Sequence, residues 1–186
     1  TPRDFVEFPS QVNEHWAWTP GRVLPAEWLE KLEAASKFGQ GYATAEVEIS
    51  SLLDLVWHTT PLDELPTSAD EVEDFERRAL AKYDLVDDLV PPRYRTQYFA
   101  HIWGGGYAAS YYGYAWSKVM DADAVAWFEE NVDGDSPAMS LREAGEHFRR
   151  TLLAPGGSVD PVETYRSFRG RDPELAPLLE RLGLTI

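Results

Sequence analysis

Apolar residues recur along this chain at intervals of three and four, the spacing that places them on one face of an α-helix. The clearest stripe consists of Ala45, Ile49, Leu52, Leu53 and Val56. No stretch alternates between apolar and polar positions for long enough to indicate a β-strand. The pattern therefore predicts an all-α fold.

Proline, glycine and serine mark the expected ends of these helices. Pro25 suits a first helical turn, Gly39 suits a C-cap, and Ser68 followed by Glu71 is a capping-box signature. Helices are predicted at about 4–17, 25–38, 42–58, 69–83, 106–131 and 141–153, then from the turn at 155–161 to about 169, and at 173–182. Because neither a repeat nor a low-complexity linker interrupts them, we predict a single helical segment over 1–186.

Composition and charge narrow the possible functions. The 186 residues are 44% hydrophobic and include 7 Trp, 9 Tyr and 8 Phe, enough for a substantial core. A net charge of −15 argues against nucleic acid, which calls for a basic patch. The absence of cysteine excludes disulfides and a thiol nucleophile. Because no signal peptide or membrane-spanning run stands out, we expect a soluble cytoplasmic protein with no membrane partner.

The segment FAHIWGGGYAASYYGYAW at 99–116 carries the candidate chemistry. Tyr107, Tyr111 and Tyr114 are spaced i, i+4, i+7, so the predicted helix at 106–131 would place three phenols on one face, directly after a glycine loop. Phenols can hydrogen-bond a peptide carbonyl or stabilise a developing oxyanion. A buried aromatic stripe has the same spacing and is the commoner meaning of such a pattern.

Several blocks of the sequence resemble one known family. They are DFVEFPSQ at 4–11, PPRYR at 91–95, FAHIWGGGYAASYYGYAWS at 99–117, and PGGSVDP with YRSFRGRDP within 155–173. In order and spacing they are similar to the thimet oligopeptidase, oligopeptidase A and peptidyl-dipeptidase family of zinc metallopeptidases, nearest its bacterial peptidyl-dipeptidase branch. The resemblance implies the C-terminal portion of a helical, zincin-like catalytic domain whose channel admits short peptides.

The resemblance also implies roles for individual residues. Glu7, in the DFVE block, matches the glutamate that serves as the third protein ligand of one Zn²⁺. Tyr114, with Tyr107 beside it, matches a group that stabilises the oxyanion of the tetrahedral intermediate. The residues implied to contact substrate are His101, Tyr111, Gly104, Gly105, Gly106 and Arg93. Whether the enzyme cuts internally or releases dipeptides stays open.

One departure from the family pattern limits what this chain can do. It contains no HExxH motif: its histidines are His15, His58, His101 and His147, and none has another histidine four residues away. The other zinc ligands and the general base are therefore expected outside this chain, in an N-terminal part of the enzyme. The alternative is a non-catalytic helical remnant that binds peptides or a partner protein. Retention of Glu7 and of the whole tyrosine segment favours the enzyme.

Overall fold

The computed structural model describes residues 1–18, 24–133 and 137–184, and within these ranges the chain is helical and contains no strand. The all-α prediction is confirmed. The α-helices are α1 (Arg3–Val6), α2 (Phe8–His15), α3 (Ala26–Ala35), α4 (Gln40–Thr59), α5 (Ala69–Ala81), α6 (Ala100–Trp103), α7 (Gly113–Phe128), α8 (Leu141–Phe148), α9 (Pro161–Arg169) and α10 (Ala176–Leu182). Across the same described ranges, no helix combines the length and apolar character needed to cross a bilayer.

Shorter helical turns connect or extend these elements. Three are 3₁₀ turns, at Trp16–Trp18, Leu62–Glu64 and Thr96–Tyr98. Two are single π-helical turns, Glu129–Asp133 after α7 and Arg149–Leu153 after α8. The helices predicted at 106–131 and 141–153 therefore both end in a widened turn rather than in a regular α-helix.

The structure corrects the predicted helix ends in three places. The first helix is two helices that meet at Glu7, because Pro9 in the first turn of α2 has no N–H with which to continue the α1 hydrogen bonds. Gly39 is left-handed, with φ +74°, but it precedes α4, whereas α3 has already ended at Ala35. The Ser68 side chain makes no capping bond; Glu71 Oε2 instead accepts from the amide of Thr67 at 2.8 Å.

Residue contacts divide the chain into two compact units. The first unit comprises 1–38 and 116–186, and aromatic residues fill its core. Phe8 is fully buried, and its ring centroid lies 5.4 Å from that of Phe5, 5.5 Å from Tyr165 and 6.5 Å from Phe148. The other buried members of this core are Val12, Met120, Ala124, Trp127, Phe128, Ala144, Leu152 and Phe168.

A buried carboxylate ties α9 and the turn after it to α7 in this first unit. Asp123 accepts hydrogen bonds from Tyr165 Oη at 2.8 Å, from Arg169 Nε at 3.1 Å and from Arg171 Nη2 at 2.7 Å. Burial alone would raise the pKa of Asp123, but the bonds from Arg171 and Tyr165 and the charge of Arg169 outweigh burial and hold that pKa below its usual range. The turn after α9 thus depends on one ionised group.

The second unit comprises 39–115 and has a smaller core. Phe99, Ile102 and Tyr111 are its buried centre. Val47, Trp57, Tyr94 and Tyr114 pack around them and are partly buried. Helices α4 and α5 contact each other in this unit and support the irregular segment 93–112. The division into two units does not test whether 1–186 is one helical segment of a larger domain. That statement stays a prediction.

Replacing Asp123 by Ala should lower the free energy of unfolding by about 3 kcal/mol, because Arg169 and Arg171 lose the buried partner that they share. The buried Tyr165 hydroxyl also loses its closer acceptor. Since the pKa of Asp123 is lower in the folded state, the stability it supplies is present above its unfolded pKa and is lost as pH falls through the folded pKa. The difference between wild type and variant should therefore shrink below about pH 4. Urea denaturation followed by circular dichroism from neutral to acidic pH measures both effects.

Asp172→Ala is the matched control, because Asp172 also pairs with an arginine, Arg166 at 2.6 Å, but is exposed. It should cost much less stability than Asp123→Ala, because water and salt screen an exposed ion pair. Equal losses for the two variants, or a loss at Asp123 that does not change with pH, would contradict the role of Asp123 as an ionised buried anchor.

Candidate active site

A row of polar side chains runs along α4 and holds the segment that precedes the glycines. Glu46, Ser50, Asp54 and His58 follow one another at intervals of four, so they lie close to one line on the helix. The Glu46 carbonyl accepts from the amide of Arg93 at 3.0 Å, and the Glu46 carboxylate pairs with the Arg93 guanidinium at 2.7 Å. One turn further, Ser50 Oγ accepts from the amide of Tyr94 at 3.3 Å. The segment is thus anchored through its backbone.

The next residues are anchored by a buried glutamate of α5. Glu76 Oε2 accepts from both the amide and the hydroxyl of Thr96, at 3.1 and 2.9 Å, and Glu76 also pairs with Arg95. The Thr96 hydroxyl oxygen in turn accepts from Trp57 Nε1 at 2.9 Å. These bonds fix the 3₁₀ turn Thr96–Tyr98, which leads into the fully buried Phe99 and helix α6.

The glycines form a tight turn directly after α6. The amides of Gly104 and Gly105 both donate to the carbonyl of Ala100, at 3.0 and 2.8 Å. A Cβ at Gly105 would lie 2.9 Å from the Cα of His101, closer than side chains tolerate, and Gly106 has φ +79°. The backbone of this turn therefore requires glycine at 105 and 106, whereas a Cβ at Gly104 would meet open space.

Residues 104–112, here called the tyrosine loop, are not helical, which corrects the helix predicted from 106. Helix α7 begins only at Gly113. The carboxylate of Asp54, which is fully buried, accepts from the amide of Ala109 at Oδ1 and from the amide of Tyr111 at Oδ2, both at 2.9 Å. Ala109 adopts φ +52°, outside the helical region. A side-chain acceptor on α4 thus replaces the carbonyls that a continuing helix would have used.

The loop gathers the predicted phenols around His101. The ring of His101 lies 5.8 Å from Tyr107, 5.3 Å from Tyr111 and 6.2 Å from Tyr114, measured between centroids. The rings of Tyr107 and Tyr114 stack at 5.3 Å with an interplanar angle of 17°. The three phenols therefore meet as predicted, but a folded loop brings them together instead of one helical face.

Tyr111 is the most enclosed of the three, with only 4% of its surface exposed. Its ring packs edge-on against Phe99 at 4.8 Å and lies 5.1 Å from the ring of Tyr114. Burial, reinforced by the neighbouring Tyr94, raises the pKa of Tyr111 to about 12. At neutral pH Tyr111 is therefore a neutral phenol within the core, and this position fits the buried-stripe interpretation of the sequence.

Glu7 lies in the first unit, at the junction of α1 and α2, and is half-buried. Its carbonyl accepts from the amide of Gln11 at 3.0 Å and from the hydroxyl of Ser10 at 2.7 Å, so the backbone of the DFVE block is well fixed. Within 1–18, 24–132 and 137–184, no three His, Cys, Asp or Glu side chains come close enough together to hold a metal ion.

Sequence reasoning missed the groups that shape the loop. The sequence analysis used only the apolar stripe of α4. A second, polar stripe has equally regular spacing and consists of Glu46, Ser50, Asp54 and His58. A polar stripe beside an apolar one usually faces solvent. Here Ser50 and Asp54 are fully buried, so the stripe is an internal anchor.

Comparison with known proteins assigns this chain to a family. Residues 1–184 match peptidase family M3. The chain is 42% identical to the dipeptidyl carboxypeptidase of Escherichia coli (strain K12), in an alignment that covers 100% of this chain and 28% of that protein. It is 36% identical to an organellar oligopeptidase A of Arabidopsis thaliana, covering 97% and 24%, and 32% identical to oligopeptidase A of Escherichia coli (strain K12), covering 98% and 27%.

The chain thus spans less than a third of the length of each of these relatives. The match nonetheless includes every block from which the family resemblance was drawn, and that resemblance is confirmed. The chain belongs to peptidase family M3.

Proposed function

We propose that this chain is part of a zinc-dependent peptidase that hydrolyses short peptides, as an oligopeptidase or a dipeptidyl carboxypeptidase. The observation that carries the proposal is the stacking of Tyr107 on Tyr114 beside His101, at a glycine turn, in a chain of family M3. Exposed apolar side chains support a larger protein: Phe38 is 94% exposed, Leu62 86% and Leu89 82%. Further parts of the peptidase would cover such residues.

Within this proposal, the phenols stabilise charge that develops on the scissile carbonyl. Tyr114 lies in the first turn of α7 and is half-buried, so its ring is held by packing against Tyr107 and Tyr111. A fixed O–H donor stabilises an oxyanion more than mobile water does, because it need not reorient as the charge forms. Tyr114 would donate to the oxyanion, and Tyr107 would hold Tyr114 in place and support the same charge.

The remaining residues of the loop would bind the peptide. The turn through Gly104, Gly105 and Gly106 lacks side chains and is exposed, so a substrate backbone could approach it closely. His101 could hydrogen-bond the peptide from the centre of the ring cluster. Arg93 is exposed but paired with Glu46, so it would bind a substrate carboxylate only while sharing that partner. Tyr111 would reach substrate only if the loop moved.

The residues of this chain fit a zinc site as contributors to a larger ligand set. Glu7 would supply one carboxylate ligand, and the remaining ligands would come from outside this chain. Zinc bound there would polarise the scissile carbonyl and acidify a water molecule. The half-buried position of Glu7 and its fixed backbone suit a ligand that must hold one orientation.

In the complete peptidase, Tyr114→Phe should lower kcat by about 100-fold with little change in KM, because the lost hydroxyl acts only as charge develops. Steady-state kinetics with a short fluorogenic peptide measure both constants. Tyr112→Phe is the matched control, since it removes an exposed phenol from the same loop and should leave kcat within about twofold. An unchanged kcat for Tyr114→Phe would remove this hydroxyl from the mechanism.

Glu7→Gln should weaken zinc binding, because a neutral amide is a poorer ligand than a carboxylate. We expect the zinc content after dialysis against a chelator to fall by more than about tenfold relative to wild type. Glu14→Gln, an exposed acid on α2, is the control and should retain its zinc. Full zinc content together with normal turnover in the Glu7 variant would exclude it as a ligand.

This chain by itself should not hydrolyse peptides, because it lacks HExxH and with it two ligands and the general base. Mass-spectrometric detection of cleavage products from a mixed short-peptide library, with and without chelator, provides the measurement. Chelator-sensitive cleavage by a preparation shown to contain only this polypeptide would contradict the expectation. Peptide binding without cleavage by the complete natural protein would instead favour the non-catalytic module.

A further inference from the structure

We propose that Asp54 is the positioning residue that selects the conformation of the tyrosine loop. The inference rests on the proposed function, because it concerns how the phenols assigned to oxyanion stabilisation are brought together. Asp54 lies on α4 and is not one of the residues carried over by the family resemblance. It would act on Tyr107 and Tyr114 through the loop backbone, without touching substrate.

The backbone donors of the loop fall into two groups. The amide of Tyr107 donates to the carbonyl of His101 at 3.0 Å, and the amide of Ser110 donates to that of Tyr107 at 2.9 Å. The amides of Ala109 and Tyr111 instead donate to the two oxygens of the Asp54 carboxylate. An ionised acceptor makes stronger hydrogen bonds than a backbone carbonyl, and a buried donor that loses its acceptor is strongly disfavoured.

The bonds to Asp54 offset backbone strain at Ala109. Ala109 adopts φ +52°, which an L-residue other than glycine disfavours. The sequence from 107 to 114 is otherwise compatible with a helix, and its periodicity predicted one from 106 onwards. The same segment can therefore adopt two backbone conformations. It forms the observed loop when Asp54 accepts its amides, and it would extend α7 upstream without Asp54.

The rings of Tyr107 and Tyr114 lie closer together than a helix would place them. Along an α-helix, residues seven apart are separated by about 10 Å. The observed rings of Tyr107 and Tyr114 are stacked at 5.3 Å. Only a folded loop can bring these two rings into contact, so the contact depends on the bonds that Asp54 accepts. His58, whose Nδ1 lies 2.9 Å from Asp54 Oδ1, holds the carboxylate from the next turn of α4.

The test uses the complete peptidase with Asp54→Asn. The amide side chain keeps the shape but presents N–H to one of the two loop donors, so one of those donors loses its acceptor. We expect kcat to fall by about tenfold or more with little change in KM, because the phenols shift relative to the reacting carbonyl. In hydrogen exchange resolved to single amides, Ala109 or Tyr111 should exchange at least about tenfold faster than in wild type.

Asp121→Asn is the matched control, because Asp121 is also buried and pairs with Arg181 at 2.5 Å in the other unit. It should change neither the hydrogen-exchange rates of the Ala109 and Tyr111 amides nor kcat. Ala109→Gly added to Asp54→Asn should restore part of the lost kcat, since glycine adopts a positive φ without steric cost. A residue that only stabilised the fold would give no such recovery.

Three outcomes would overturn the proposal. They are wild-type kinetics in Asp54→Asn, unchanged exchange at both Ala109 and Tyr111 in that variant, and no recovery with Ala109→Gly. If Asp54→Asn does not fold, exchange in the unaltered protein decides: protected amides at 109 and 111 support the proposal, and unprotected ones overturn it. An inactive wild type with these amides protected would refute the proposed peptidase function but leave the loop anchor intact.

Discussion

A carboxylate that leaves water on folding must find donors inside the protein, and this chain uses that requirement to shape its irregular segments. Asp54 takes its donors from the tyrosine loop, Glu76 from the turn before α6, and Asp123 from the residues around the end of α9. In each case a regular helix supplies the acid. The donors come from irregular segments for Asp54 and Glu76, and from α9 together with the turn after it for Asp123. The helices thereby define loops whose own sequences would permit other conformations.

Packing of the aromatic rings allows one cluster to serve both as a hydrophobic core and as a candidate site. Phe99 and Tyr111 are buried and hold the cluster together, while Tyr114 and His101 remain partly exposed at its edge. A ring that is packed on several sides has few rotamers available, so its hydroxyl points in a constant direction. The buried-stripe interpretation and the catalytic interpretation of the tyrosines are therefore compatible, because packing of one ring orients the next.

The proposed functional residues are divided between the two units. Glu7 belongs to the unit whose core is built around Phe8, and the tyrosines belong to the unit whose core is built around Phe99. Contacts within each unit hold its proposed functional residues in place. Glu7 is held at the junction of α1 and α2, and the tyrosine loop is held by hydrogen bonds to α4. The chain that carries both parts belongs to family M3 and spans less than a third of the length of the relatives reported above.

The sequence by itself determined the helical class, most helix positions, the family and the segment that carries the candidate chemistry. These follow from apolar periodicity and from motifs, which are local properties of the chain. It did not determine the tyrosine loop: periodicity predicts a helix from 106, but the acceptor that prevents the helix is Asp54, more than fifty residues earlier. Only the tertiary structure could decide this, because a buried charge outweighs local helix propensity once folding brings the two segments together.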